Sequence, residues 1–194
     1  MARFGLSALR SLLGRGGNST PWQPPEASWS RRFGLGWESP YTVRYASNLD
    51  DGPDHGMPLG GFGAGCLGRS PSGAFNLWNL DGGEHWFGSI PDCQFALWER
   101  QGESVRAHAL ATAPDRDDTD PNRGTPLSAW QWYPASTTDR STGTYAARYP
   151  LSWTHHEDVF RAGVLCEAFS PILPGDYQRT SYCLLYTSPS PRDA

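Results

Sequence analysis

From Gly56 onward, short apolar stretches alternate with turn-forming residues, a spacing expected of packed strands rather than of alternating strands and helices. Phe62, Ala64 and Cys66 alternate with Gly61, Gly63 and Gly65, which puts three side chains on one face and leaves the other open to close backbone approach. Ser70-Pro71-Ser72-Gly73 has the chemistry of a turn. Residues 74–80 return with Phe75, Leu77 and Asn79 on one face and Asn76, Trp78 and Leu80 on the other, so a hairpin is predicted. A second hairpin joins residues 93–100 to 105–112 through Gln101-Gly102-Glu103-Ser104, with Val105, Ala107, Ala109 and Ala111 sharing a face. Strands over 130–133, 144–149, 151–156 and 159–169 bring the expectation to about eight.

Composition agrees with this pattern. Glycine at 22 and proline at 17 of 194 residues work against long helices, and 13% aromatic content with nine Trp suits pleated, half-buried surfaces. An all-β fold, a β-sandwich, is predicted, and the length suits one domain. All 16 basic residues are arginine, which excludes a P-loop lysine, a lysine Schiff base and a pyridoxal phosphate site in these residues. A net charge of −4 lacks the basic footprint of a nucleic-acid binder. Cys66, Cys93, Cys166 and Cys183 show no C-x-x-C spacing and read as free thiols of a reducing compartment, hence a cytoplasmic expectation.

Residues 1–40 read as an irregular lead-in. Its first part interleaves Phe4, Leu6, Leu9, Leu12 and Leu13 with Arg3, Arg10 and Arg15, a short basic amphipathic segment suited to weak peripheral contact with a membrane surface, or else a frayed terminus. Arg10 interrupts the apolar run, and no stretch approaches the length of about 20 residues that a spanning helix needs. The sandwich is assigned to residues 41–182. Within it, residues 113–126 carry Asp115, Asp117, Asp118 and Asp120 among prolines and read as a solvated loop, without the glycine and terminal glutamate of an EF-hand.

The chemical motifs are weak. Gly63-Ala64-Gly65-Cys66-Leu67-Gly68 matches G-x-G-x-x-G but lacks the preceding buried strand and following helix of a dinucleotide site. His155-His156-Glu157-Asp158 carries ligating atoms, yet neighbours on a strand point to opposite faces, so it reads as an exposed strand end and turn. No G-x-S-x-G elbow supports a serine triad, and Glu84, Asp92, Glu99, Glu157 and Glu167 cannot be paired by sequence. No catalytic residue, metal ligand or cofactor is assigned.

Residues 57–69 (Met-Pro-Leu-Gly-Gly-Phe-Gly-Ala-Gly-Cys-Leu-Gly-Arg), then 73–80 (Gly-Ala-Phe-Asn-Leu-Trp-Asn-Leu) and Gln94-Phe95, resemble the opening of family 116 glycoside hydrolases, the non-lysosomal glucosylceramidase or bile-acid β-glucosidase relatives. Tyr149-Pro150-Leu151-Ser152-Trp153, then Glu167-Ala168-Phe169-Ser170-Pro171-Ile172-Leu173-Pro174, resemble the same N-terminal domain in the same order. The resemblance implies a β-sandwich that packs on a larger (α/α)6 domain. It also implies that both carboxylates of a retaining mechanism lie in that partner domain, acting on β-glucosides or glucosylceramide. No residue of this chain matches a family catalytic position, so the chain alone is expected to be inactive. Cys66 stands where the family often has Ser or Thr.

Residues 183–194 (Cys-Leu-Leu-Tyr-Thr-Ser-Pro-Ser-Pro-Arg-Asp-Ala) resemble a translated sequencing adapter and are expected to be non-native, leaving a partial sandwich with uncovered apolar edges. Gly60, Gly61, Gly63, Gly65 and Gly68 are the candidate contact with the partner domain, because absent side chains permit close backbone packing. Three readings follow: the non-catalytic domain of a β-glucosidase; a stand-alone carbohydrate-binding module, with Trp78, Trp86 and Trp98 as stacking residues; and an interaction domain with no sugar role.

Overall fold

A computed structural model describes residues 22–35, 56–80, 86–90, 93–113 and 131–181. In chain order the strands are β1 (Trp29–Arg32), β2 (Met57–Leu59), β3 (Cys66–Arg69), β4 (Phe75–Asn79), β5 (Trp86–Phe87), β6 (Ala96–Gln101), β7 (Ser104–Ala109), β8 (Gln131–Trp132), β9 (Gly143–Arg148), β10 (Leu151–His156) and β11 (Val164–Phe169), followed by the single-turn helix α1 (Tyr177–Thr180). They form three sheets, ordered β1-β9-β10-β11, β2-β3-β4-β5 and β6-β7-β8. All neighbours pair antiparallel except β7 and β8. The fold is all-β and sandwich-like, as composition and turn spacing predict. No helix among the described residues is long and apolar enough to cross a membrane.

Both predicted hairpins form. The Ser70–Gly73 turn closes with the Gly73 N–H donating to the Ser70 carbonyl at 2.9 Å, and it joins β3 to β4. In β4 the buried Phe75 and Leu77 alternate with less buried Asn76 and Trp78. The second hairpin pairs Ala96 with Ala109 through to Gln101 with Ser104.

Four expectations need correction. The lead-in over 1–40 is not wholly irregular: Trp29–Arg32 is an edge strand paired with β9, from Trp29↔Ala147 to Arg32↔Thr144. The strand over Phe62, Ala64 and Cys66 starts only at Cys66, because Gly63 and Gly65 take φ values of +71° and +78°, which break an extended run. The strand over 159–169 starts at Val164, because Asp158 has φ +67° and the Glu99 carboxylate accepts the N–H groups of Arg161 and Ala162, holding that stretch as a turn. Finally, β2 and β5 are strands that apolar patterning did not predict.

The core sits where the sheets meet. On β9, β10 and β11 the register aligns Tyr145 with Thr154 and Thr154 with Cys166, and His156 with both Gly143 and Val164. One inward face is therefore shared by three strands. Phe33, Leu110, Tyr133, Val164 and Cys166 form a buried apolar cluster there. Arg69, 4% exposed at the end of β3, ties the sheets together. Its guanidinium donates to the Gly73 carbonyl (3.0 Å), the Thr154 hydroxyl on β10 (3.0 Å) and the Leu110 carbonyl just beyond β7 (3.2 Å), and it lies 5.6 Å from the centre of the Phe95 ring. Charge-assisted bonds to neutral oxygens offset the cost of burying this cation.

Candidate functional site

The glycine-rich loop between β2 and β3 owes its glycines to two different causes. At Gly60 a Cβ would lie 2.2 Å from the Gly65 carbonyl oxygen, and at Gly65 it would lie 2.4 Å from the Asn79 carbonyl oxygen, both far inside contact distance. These two positions are filled by the domain's own backbone. Gly63 shares the left-handed φ of Gly65, but among the described residues a Cβ there meets nothing within 4 Å. Gly61 accepts the Ala64 N–H at 3.2 Å, and Gly68 is buried within β3, opposite Pro58 and Leu77.

The loop is anchored from the far end of the chain. Ser170 donates to the Pro58 carbonyl at 2.8 Å and accepts the Gly60 N–H at 3.3 Å. The Phe62 N–H donates to the Thr180 carbonyl at 2.8 Å. Thr180 is itself buried, its hydroxyl accepting from the Leu173 N–H and donating to the Leu173 carbonyl. Asp176 caps α1 by accepting the Arg179 N–H at 3.0 Å. Two stretches of sequence some hundred residues apart thus build one feature, at whose tip Phe62 is 65% exposed beside Tyr177, with ring centroids 6.2 Å apart. Leu173 is also exposed nearby in the chain.

The candidate carboxylates that lie among the described residues are committed elsewhere. Glu167 accepts from the Trp153 indole at 2.7 Å, Glu157 from the His155 ring at 2.9 Å, and Glu99 holds the 158–163 turn. Each of the three serves a local bond. Glu84, Asp92 and the acidic run at 115–120 lie outside the described residues, as do the amphipathic segment at 1–17 and residues 183–194. Among the described residues no group of three or more His, Cys, Asp or Glu could hold a metal ion. The reading of His155-His156 as an exposed strand end is corrected: β10 continues to His156, which is 2% exposed. Of the three tryptophans, Trp78 donates to the Gly88 carbonyl at 2.8 Å and lies 6.1 Å from Trp86, whereas Trp98 is 55% exposed on β6.

A family model described as beta-glucosidase 2, glycosyl-hydrolase family 116 N-term, matches residues 56–186. The chain belongs to glycoside hydrolase family 116. In this family 116 domain the match opens immediately before β2 and contains every described strand except β1, which lies outside it yet pairs with β9 inside. It runs on through residues 183–186, into the stretch set apart by sequence as 183–194.

Sequence reasoning missed Arg69 and Ser170 as organising residues. It also passed over Gln94, whose side chain accepts the Phe75 N–H at 3.0 Å and donates to the Ile90 carbonyl at 2.7 Å. Each belongs to a motif quoted for the family resemblance, which was the available signal.

Proposed function

We propose that this chain is the non-catalytic N-terminal domain of a retaining β-glucosidase acting on β-glucosides, glucosylceramide among them, with both reacting carboxylates supplied by a separate (α/α)6 domain. The observation that carries the reading is the family match over residues 56–186. The commitment of Glu99, Glu157 and Glu167 to local bonds supports it, since a retaining pair needs two carboxyl groups facing one cleft about 5 Å apart. The tip of the glycine loop, with open space at Gly63 and the exposed Phe62 and Tyr177 rings, is the part of this domain we assign to contact with the catalytic domain.

The test is an assay of the 194-residue chain with an aryl β-glucoside and with glucosylceramide in detergent, alongside the product of the uninterrupted genomic reading frame. No turnover is expected from the chain alone, and turnover with retained anomeric configuration is expected from the longer product. Hydrolysis by the chain alone would contradict the non-catalytic role. Saturable glucose binding by the chain, lost on Trp98→Ala, would favour a sugar-binding module instead.

A further inference from the structure

His156 stands out as a buried polar side chain: it is 2% exposed, and among the described residues neither ring nitrogen has a hydrogen-bond partner. The imidazole is held edge-on between Phe33 and Tyr133, each ring centroid 4.7 Å away at interplanar angles of 66° and 61°. Phe33 follows β1 and Tyr133 follows β8, so this one ring joins the β1-β9-β10-β11 sheet to the sheet containing β8.

We infer that this junction is an acid-released latch whose moving part is His156. A neutral imidazole fits an aromatic cage as a flat, largely apolar disc, whereas a protonated one brings a full charge and two N–H donors into a place that offers them no acceptor. The nearby charged groups make matters worse. Arg69 on β3 and His155 on the same strand both oppose a second positive charge. The other titratable side chains described around the ring include no carboxylate: they are the phenols of Tyr133 after β8 and Tyr145 on β9, the thiol of Cys166 on the β11 face shared with His156, and the imidazole of His108 on β7, which meets Tyr133 edge to face. Of the carboxylates just beyond β10, Glu157 is turned to the His155 ring and Asp158 lies 3.6 Å from Arg140. Thr154, two residues back on the same face, is an acceptor for Arg69, so displacing the end of β10 also loosens the guanidinium that ties the sheets together.

Burial holds the His156 ring well below the ordinary histidine range in the folded chain. The unfolded chain therefore takes up this proton first as pH falls. Stability from this site is complete above about pH 6.5, declines as pH drops from there toward the folded value, and is flat below it. One proton corresponds to a rise of about tenfold in the unfolding equilibrium constant for each pH unit within that window.

The experiment is urea unfolding of the 194-residue chain and of His156→Phe between pH 7.5 and 4.5, followed by tryptophan fluorescence. The ratio of the two unfolding constants is expected to change by up to about tenfold per pH unit below pH 6.5, the variant lacking that component. Parallel profiles would overturn the proposal. A ring-nitrogen NMR titration of the wild-type chain decides it independently, even if the variant does not fold. His156 is expected to remain neutral at pH 5.5 while the native signals persist; a native His156 that protonates near pH 6.5 would overturn the latch.

Discussion

The Arg69 junction and the tip of the glycine loop lie only a few residues apart in sequence and are built on opposite principles. At the junction nearly every polar group is answered by the domain itself: the guanidinium has three protein oxygens, Tyr145 accepts the Met57 N–H at 2.9 Å, and Thr142 and Ser136 bond each other at 3.1 Å. At the loop tip the backbone is fixed with equal care, through Ser170 and Thr180, but what it displays is left unanswered: Phe62 and Tyr177 are exposed and Gly63 faces open space. Under the proposed function, this pinned segment with outward apolar side chains is the surface that meets the catalytic domain.

The junction is where the comparison breaks most readily. Arg69→Met removes the donor to three buried oxygens and is expected to cost about 3 kcal/mol or more, read as a lowered urea midpoint. Next comes the closed half of the loop. Gly65→Val meets both the Asn79 carbonyl and an unfavourable φ, for a loss of roughly 2 kcal/mol in thermal or urea unfolding. Gly63→Ala meets only the φ penalty, about 1 kcal/mol by the same measurement, and the gap between the two variants is the sharpest sign that the loop has a closed half and an open one. Smallest in stability is Phe62→Ser, expected to stay within about 0.5 kcal/mol of the parent. In the longer enzyme, under the proposed function, the same variant should weaken domain association or lower glucosidase activity. A large stability loss from Phe62→Ser would place that ring in the domain's core instead.

What the sequence made legible follows from how local the signals were. The β3–β4 and β6–β7 hairpins were readable because Ser-Pro-Ser-Gly and Gln-Gly-Glu-Ser are turn chemistry set between alternating strands. β1 was not, since Trp-Ser-Arg-Arg has no apolar alternation and its partner, β9, lies more than a hundred residues away. β2 carries Pro58 at its centre, which argues against a central strand and is tolerated because β2 is an edge. The alternation at His155-His156 put the two rings on opposite faces, but periodicity alone does not say which face is inward; the answer rests on Phe33 and Tyr133, brought in from distant parts of the chain. Arg69 hides for the same reason, because an arginine after a glycine carries no sign that Thr154 and Leu110 will close around it.

The central claim is that this is the non-catalytic front domain of a family 116 glycosidase. It is tested most directly by reading the genomic DNA through and beyond the codon for Tyr182 and assaying the encoded product. The account predicts an open frame that continues into a long helical domain bearing two carboxylates whose individual removal abolishes β-glucoside hydrolysis. A frame that stops after Ala194 in independent isolates, yielding a product with no glucosidase partner, would contradict it.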